Sequence, residues 1–320
     1  MNDIVRKLYE LGIVPVVTIS DSEDAVPLAR ALHKGGIGCM EITFRTKTAI
    51  TAMRKIAAEV PEMLIGAGTV HSIDQIQQAM NAGAKFIVTP GFHAEVVEHC
   101  ISHDIPIIPG CSDTGGIEQA LHLGIKQVKF FPAEASGGVH LLQMLQPPYS
   151  DIEFLPTGGI NLENMNDYLE LQNVFAIGGT WMVKEELLVN KEFDKIEKLA
   201  KEAVSRMFGF QLKHIGINCL DQEQAGKASN DLKELFGIER RDGETSIFAG
   251  TMFELMKKPY LGVHGHIAIG VNNLDRVYSY LKGLGYSFNE STKQIDDRQR
   301  LKVIYLQKEI AGFAIHFINN

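Results

Sequence analysis

A lysine inside an apolar strand is the first residue in this sequence that could do chemistry. Lys129 lies in the stretch 127–138, QVKFFPAEASGG, between Val128 and Phe130. Desolvation favours the uncharged form of an amine, whose lone pair can then attack a carbonyl carbon and form a Schiff base. The alternative is a lysine whose ammonium group reaches solvent at the end of the strand. The local pattern leaves both interpretations open.

A carboxylate in an earlier apolar run supplies the partner that such chemistry needs. Glu41 alternates with Thr43 and Arg45, so the three side chains share one face of a predicted strand. A carboxylate near an amine can transfer the protons that imine formation and breakdown require. The competing interpretation is a structural ion pair between Glu41 and Arg45.

Glycine pairs follow two later apolar runs. Gly158-Gly159 and Gly178-Gly179 come after the predicted seventh and eighth strands, and Thr180 adds a hydroxyl group to the second pair. Backbone N–H groups in such turns and at helix N-termini bind phosphate, and barrel enzymes commonly hold a phosphate there. Tight turns without a ligand are the alternative.

Eight short apolar runs, each followed by an amphipathic stretch, must position these residues. Runs at this spacing are typical of βα units. They cover residues 13–19, 39–44, 64–69, 86–90, 105–111, 127–131, 153–156 and 174–177. Eight units in about 200 residues predict an α/β fold, a TIM (β/α)8 barrel with its active site at the carboxyl ends of the strands. Glycines after so many strands favour the barrel over a doubly wound open sheet.

Composition excludes several classes of protein. The chain has 320 residues, a length that predicts about two domains. Its residues are 45% hydrophobic and 22% charged, which is typical of globular proteins. Its apolar runs fall short of the ~20 residues of a membrane helix. The net charge of -8 disfavours a nucleic-acid partner. Four widely separated cysteines without a Cys-x-x-Cys pair predict free, buried thiols. We expect a cytoplasmic protein with no membrane partner.

Residues 1–207 resemble the 2-keto-3-deoxy-6-phosphogluconate (KDPG) / 4-hydroxy-2-oxoglutarate (KHG) aldolase family. The matching motifs are GIVPVV (12–17), EITFRT (41–46), GAGTV (66–70), TPG (89–91), KFFPAEASGG (129–138), PTGGI (156–160) and IGGTW (177–181). The resemblance implies a class I aldolase that cleaves KDPG to pyruvate and glyceraldehyde 3-phosphate, KHG to pyruvate and glyoxylate, or both. It also implies a keto-acid substrate, no cofactor or metal in the barrel, and a homo-oligomer, usually a trimer.

The same resemblance implies a role for each residue of the site. Lys129 would form the Schiff base and Glu41 would act as the general acid and base. The other expected positions bind the substrate: Arg45 and Thr69 at its carboxylate end, Pro90 and Phe131 along the pocket wall, Thr157 beside the ketone carbon, and Gly158, Gly159, Gly178, Gly179 and Thr180 at the phosphate. Thr18, Gly115 and Thr180 replace the Arg, Pro and Ser of many relatives, which leaves substrate preference open.

From about residue 208 the pattern changes to two successive βαβββ modules, which predict a separate α+β domain over 208–320. The modules resemble the vicinal-oxygen-chelate superfamily of glyoxalases, extradiol dioxygenases and bleomycin-resistance proteins, most clearly in HGHIAIGV (264–271). The resemblance places metal ligands at His214, Glu254, His266 and His316, the last where Glu is usual. Three imidazoles and one carboxylate suit a divalent metal such as Zn, Ni, Mn or Fe.

Three functions remain for the whole chain. The first is a Schiff-base aldolase that carries an accessory or regulatory domain. The second is a metal-dependent lyase, isomerase or dioxygenase in residues 208–320, with the barrel in a linked step. The third, a phosphate-binding isomerase without imine chemistry, explains the glycines but gives Lys129 and Glu41 no role. A degenerate second domain that only dimerises or packs against the barrel is the alternative to a metal site.

Overall fold

The computed structural model describes residues 3–297 and 299–320. The chain divides into two compact units, Met1–Met207 and Phe208–Asn320. In the described residues, every helix is too short or too polar to cross a membrane.

The first unit alternates short strands with helices. Its strands are β1 (Ile13–Val17), β2 (Cys39–Thr43), β3 (Leu64–Gly68), β4 (Phe86–Val88), β5 (Ile107–Ile108), β6 (Gly110–Cys111), β7 (Gln127–Phe130), β8 (Glu153–Pro156) and β9 (Ile177–Gly179). Its helices are α1 (Asp3–Leu11), α2 (Ala25–Lys34), α3 (Ala49–Glu59), α4 (Ile73–Asn81), α5 (Ala94–Ser102), α6 (Thr114–His122), α7 (Gly138–Leu145), α8 (Met165–Leu169), α9 (Glu185–Val189) and α10 (Phe193–Phe208). Two 3-10 turns lie at Ser22–Asp24 and Glu134–Ser136.

All strands of this unit pair in parallel and the sheet curls on itself. One sheet has the order β5-β4-β3-β2-β1-β9 and the other β6-β7-β8. The segments β5 and β6 form one strand path interrupted at Pro109, which has no N–H group to give to a ladder. Bridges from Phe154 to Val174 and from Thr157 to Gly178 join the path of β8 to that of β9. The predicted α/β fold with a curled parallel sheet is confirmed.

The eighth strand lies later in the chain than predicted. Val174 makes only an isolated bridge, and β9 covers Ile177–Gly179 instead of 174–177. The expectation that Gly178 and Gly179 form a turn after this strand is therefore wrong. Both glycines pair with β1, and the absence of Cβ atoms lets other side chains lie against the strand. A Cβ on Gly178 would be 2.2 Å from Thr157 Oγ1, and one on Gly179 would be 1.8 Å from the Trp181 ring.

Helix α1 contributes to the apolar core of the first unit. Val5 and Leu8, one turn apart on this helix, share a cluster with side chains from the strands. The other buried members are Val14, Cys39, Phe86, Val88, Ile108, Leu155, Phe175 and Ala176. Leu8 is fully buried, so the helix is held mainly by apolar packing.

The four cysteines are buried, unpaired thiols in the described chain, as predicted. Burial raises the pKa of Cys100 to about 12. Burial, together with the charge of Asp113, raises the pKa of Cys111 to about 12. These thiols therefore stay protonated at neutral pH.

The second unit is built on one eight-stranded sheet. Its elements are β10 (Gln211–Asn218), α11 (Gln222–Phe236), β11 (Arg240–Asp242), β12 (Ser246–Ala249), β13 (Phe253–Met256), β14 (Gly265–Val271), α12 (Leu274–Gly283), β15 (Phe288–Ile295), β16 (Leu301–Leu306) and β17 (Phe313–Asn319). The strand order is β11-β12-β13-β10-β14-β17-β16-β15. Each half runs strand, helix and three strands, and the two leading strands, β10 and β14, pair antiparallel at the centre.

We predict that Leu8→Ala lowers the free energy of unfolding of the first unit by about 2–5 kcal/mol, because it leaves a cavity in a fully packed cluster. Differential scanning calorimetry of the full chain would show the loss as a lower Tm of one transition. Met144→Ala, at a side chain that is 63% exposed in the same unit, should change the free energy by less than about 0.5 kcal/mol. Equal Tm shifts for the two variants would contradict this account of the core.

Candidate active site

Lys129 and Glu41 meet inside the curled sheet. Lys129 Nζ donates hydrogen bonds to both carboxylate oxygens of Glu41, at 2.9 Å to Oε1 and 3.2 Å to Oε2. Lys129 is 5% exposed and Glu41 is 0% exposed. Their strands, β7 and β2, stand opposite each other in the order of the ring, so the contact spans its interior. The alternative of a lysine that reaches solvent is wrong, since Lys129 is buried. The alternative of a Glu41–Arg45 ion pair is also wrong, since the buried Glu41 carboxylate pairs with Lys129 and Arg45 is exposed.

The neighbouring strand leaves the space that the Glu41 carboxylate occupies. Gly68 on β3 lies beside Glu41, and a Cβ on Gly68 would be 2.1 Å from Glu41 Oε1. On the other side, Thr43 Oγ1 donates to the Val17 carbonyl at 3.1 Å and contacts Thr18 Oγ1 at 2.9 Å. These contacts fix the face of β2 that carries the carboxylate. The sequence showed the GAGTV motif, but it gave no reason why its second glycine is needed.

The strand path that precedes β7 fixes the backbone of Lys129 through strand pairing. The Lys129 amide donates to the Pro109 carbonyl at 2.8 Å, and Gly110 pairs with Lys129. Thr89, fully buried, accepts a hydrogen bond from the Gly110 amide at 3.2 Å and donates to the Gly91 carbonyl at 2.6 Å. Sequence reasoning missed Thr89, although it is the first residue of the TPG motif.

The pair has the parts needed for nucleophilic catalysis on a carbonyl. Two opposite charges are tolerated in a buried position because each satisfies the other. Transfer of one proton from Nζ to the carboxylate leaves a neutral amine beside a carboxylic acid, which is a nucleophile beside a general acid. The Phe131 ring, 5.6 Å from Nζ, provides an apolar wall that limits access of water to the amine.

The other predicted substrate-binding residues lie in or beyond the carboxyl-terminal ends of the strands, on the edge where barrel enzymes bind substrates. Thr69 follows β3 with a φ of 58°, an uncommon value for a threonine. Gly158 and Gly159 form the expected turn after β8, with φ values of 101° and 84° that favour glycine. The remaining positions on this edge are Arg45 after β2, Pro90 after β4, Phe131 after β7, Thr157 after β8, Gly178 and Gly179 in β9, and Thr180 after it.

A second cluster of titratable side chains lies in the sheet of the second unit. His214 Nε2, His266 Nε2 and Glu254 Oε2 form a triangle in which all three separations are 3.1 Å. The three histidines, including His316, have ring nitrogens within 4.8 Å of one another. The side chains come from the adjacent strands β10, β13, β14 and β17.

Burial and hydrogen bonding set the charges in this cluster. Burial alone would raise the pKa of Glu254, but hydrogen bonds with His214, His266 and Ser246 outweigh it and hold the pKa far below its usual range. Ser246 Oγ donates to Glu254 Oε1 at 2.7 Å, which leaves Oε2 to the imidazoles. Burial and the two neighbouring imidazoles lower the pKa of His316 to about 3, so this ring is neutral.

A buried lysine and carboxylate that face each other inside a curled parallel sheet are typical of a class I aldolase, a carbon–carbon lyase. Residues 4–199 match the family model of KDPG and KHG aldolase. The chain therefore belongs to the KDPG/KHG aldolase family and is a class I aldolase.

Individual relatives agree with this family. A 2-dehydro-3-deoxy-phosphogluconate aldolase of Treponema pallidum is 47% identical over 204 residues, which cover 64% of this chain and 97% of that protein. The KHG/KDPG aldolase of Escherichia coli K12 is 44% identical over 192 residues, 60% of this chain and 90% of that protein. A crystal structure of KDPG aldolase from Legionella pneumophila, with pyruvate captured as a covalent carbinolamine, has a TM-score of 0.61 and 38% identity. That match covers 62% of this chain and 97% of the other.

We predict that Gly68→Ala lowers aldolase turnover by about a hundredfold, because the added methyl group displaces the Glu41 carboxylate and small misplacements of a catalytic group have effects of this size. Pyruvate release in a dehydrogenase-coupled assay measures the change. Gly38→Ala serves as the matched control, since a Cβ there would only meet the end of the Leu11 side chain at 3.3 Å. Full activity of a folded Gly68→Ala variant would show that the carboxylate position does not matter.

Proposed function

We propose that the first unit cleaves KDPG to pyruvate and glyceraldehyde 3-phosphate, KHG to pyruvate and glyoxylate, or both, through a Schiff base on Lys129. The observation that carries this proposal is the 2.9 Å contact between Lys129 Nζ and Glu41 Oε1 in the buried interior. The names of the relatives support KDPG as a substrate. The relatives named KHG/KDPG aldolase support the second reaction.

The mechanism uses the two side chains in sequence. Lys129 Nζ, as the neutral amine, attacks the C2 ketone of a 2-keto-4-hydroxy acid to give a carbinolamine. Glu41, as the acid, gives its proton to the carbinolamine hydroxyl, which leaves as water, so that a protonated imine and the Glu41 carboxylate remain. Glu41, directly or through a water molecule, takes the proton from the C4 hydroxyl group. The C3–C4 bond then breaks, its electrons flow into the imine to give an enamine, and the aldehyde leaves. Protonation of the enamine at C3 and hydrolysis of the imine release pyruvate and restore the amine.

Residues along the carboxyl-terminal edge would bind the two ends of the substrate. Arg45 and Thr69 would hold the carboxylate, Pro90 and Phe131 would line the pocket, and Thr157 would lie beside C2. The Gly158-Gly159 turn and the Thr180 hydroxyl are the groups best suited to the phosphate. Gly178 and Gly179 would contribute through their small size, because they lie in a paired strand where Gly178 leaves room for Thr157 and Gly179 for the Trp181 ring.

The resemblance to the family supports two proposals about the whole molecule. The first is assembly into a homo-oligomer, specifically a trimer. The second is a cytoplasmic location. The small-molecule partner in both proposals is the keto-acid substrate. The net charge of -8 is consistent with the absence of a nucleic-acid partner.

We propose further that the second unit is a vicinal-oxygen-chelate domain that holds a divalent metal on His214, Glu254, His266 and His316. Adjacent ligands of a six-coordinate ion with bonds of about 2.1–2.2 Å are roughly 3 Å apart. The three separations of 3.1 Å match that spacing. This fit favours a metal-dependent lyase, isomerase or dioxygenase activity as the second candidate function.

Unpartnered nitrogens provide independent support for the metal. Neither ring nitrogen of His316 has a hydrogen-bond partner among the described residues, although the side chain is 7% exposed. Nδ1 of His266 is also without one in that part of the chain. Buried polar atoms without partners are costly, and a ligated ion would satisfy one of the two His316 ring nitrogens. When bound, the metal would act as a Lewis acid toward substrate oxygens.

We predict that borohydride reduction in the presence of pyruvate attaches a pyruvyl group to Lys129. Mass spectrometry of the peptide that contains Lys129 locates the adduct. Lys129→Ala should abolish both the adduct and turnover, whereas Lys126→Ala, at a lysine paired with Asp151 on the surface, should leave both unchanged. Absence of an adduct in folded wild-type protein would refute imine chemistry and favour an isomerase.

We predict that the full chain binds about one equivalent of Zn, Ni, Mn or Fe and that His214→Ala and His266→Ala lose it. Elemental analysis after loading and desalting gives the metal content. His264→Ala is the matched control, because His264 is exposed and close in sequence. Removal of the metal by a chelator should leave pyruvate formation unchanged. Wild-type protein that retains none of these metals would support the degenerate-module alternative.

A further inference from the structure

The side chain of a second carboxylate, Glu134, packs against the glycine turn that follows β8. Glu134 begins the 3-10 turn Glu134–Ser136, five residues after Lys129. A Cβ on Gly159 would be 2.5 Å from Glu134 Cγ, and a Cβ on Gly138 would be 3.2 Å from Glu134 Oε1. Both glycines have a positive φ, 84° and 57°. Two glycines from different loops therefore make room for this one side chain.

The backbone of the same segment is bonded to the glycine turn. The Glu134 amide donates to the Gly158 carbonyl at 3.1 Å, and the Ala133 amide donates to the Thr157 carbonyl at 2.8 Å. The Gly138 amide donates to the Ala133 carbonyl at 2.9 Å, a bond that spans the 3-10 turn. Because these bonds use the carbonyls of residues 157 and 158, they constrain the peptide planes on which the orientation of the turn depends.

The Glu134 carboxylate accepts a hydrogen bond from a buried tyrosine. Tyr168, on α8, is 0% exposed, and its hydroxyl donates a hydrogen bond to Glu134 Oε1. Burial and the neighbouring carboxylate of Glu134 raise the pKa of Tyr168 well above its usual value, so the phenol remains a donor at neutral pH. Helix α8 begins six residues after Gly159. The hydrogen bond between Tyr168 and Glu134 therefore connects this helix, which follows the glycine turn, with the loop after β7.

We propose that the Glu134–Tyr168 pair positions the Gly158-Gly159 turn and thereby determines affinity for a phosphorylated substrate, while it takes no part in carbon–carbon cleavage. The inference rests on the proposed aldolase function. Backbone N–H groups bind a phosphate only when they converge on it, so their orientation sets affinity. The carboxylate acts here as a hydrogen-bond acceptor and as a space-filling group, since its negative charge by itself would repel the phosphate.

The test compares KDPG with the unphosphorylated KHG as substrates of the full-length enzyme. Tyr168→Phe should raise KM for KDPG about tenfold, the effect of one lost hydrogen bond to a charged group. Its kcat should stay within about twofold, and KM for KHG should not change. Glu134→Ala should behave in the same way. Glu134→Gln keeps an acceptor for Tyr168 and removes the charge, so its KM for KDPG should equal or fall below the wild-type value.

Tyr149→Phe is the matched control, because the Tyr149 hydroxyl donates to Glu118 at 3.0 Å on the surface of the same unit. The inference is overturned if folded Tyr168→Phe and Glu134→Ala keep the wild-type KM for KDPG. It is also overturned if they lose kcat equally with both substrates, or if the wild-type enzyme cleaves only KHG. Failure of the proposed function would look different, since wild-type protein would then cleave neither substrate and form no pyruvyl adduct. If Tyr168→Phe does not fold, the two Glu134 variants decide the question.

Discussion

The first unit is organised around one buried pair of opposite charges. Transfer of a lysine or a glutamate from water into a protein interior costs several kcal/mol, and the cost is offset only when the partner is held at hydrogen-bond distance. Lys129 and Glu41 come from strands on opposite sides of the ring, so their contact requires the whole sheet to close with the correct register. Gly68 leaves room for the Glu41 carboxylate, and the buried Thr89 hydroxyl accepts a hydrogen bond from the Gly110 amide of the strand path that pairs with β7.

Local patterns predicted the parallel sheet and singled out Lys129 and Glu41, but only the resemblance to a family assigned these two residues to one site. Apolar runs mark buried strands, and a charged residue within such a run is conspicuous. The misplaced eighth strand shows the limit of this reasoning. Residues 174–177 are more apolar than 177–179, yet the strand that pairs with β1 covers Ile177–Gly179. Gly178 leaves room there for the Thr157 side chain, and Gly179 leaves room for the Trp181 ring. Strand β1 and Thr157 lie in distant parts of the chain, and local patterns do not contain their influence.

The cluster in the second unit illustrates the same limit in a different way. Resemblance alone suggested four ligand positions, but the reason they converge lies in strand pairing. Gly216 on β10 pairs with both Glu254 and His266, and a Cβ on Gly216 would be 2.0 Å from the His266 ring. The role of Ser246 as a donor to Glu254 also depends on tertiary structure, since the two residues lie on different strands. Glycine and serine are too common in sequences for either role to be recognised there.

The buried cysteines have a consequence for an enzyme with aldehyde products. The aldehydes released by the proposed cleavages, glyoxylate and glyceraldehyde 3-phosphate, are electrophiles that add to thiolates to give hemithioacetals. Cys39, Cys100, Cys111 and Cys219 are all enclosed, and burial keeps them protonated. The aldehyde released at the active site therefore meets no reactive sulfur among them. Burial of the sulfur atoms therefore protects these four side chains from modification by the aldehyde that the proposed reaction releases.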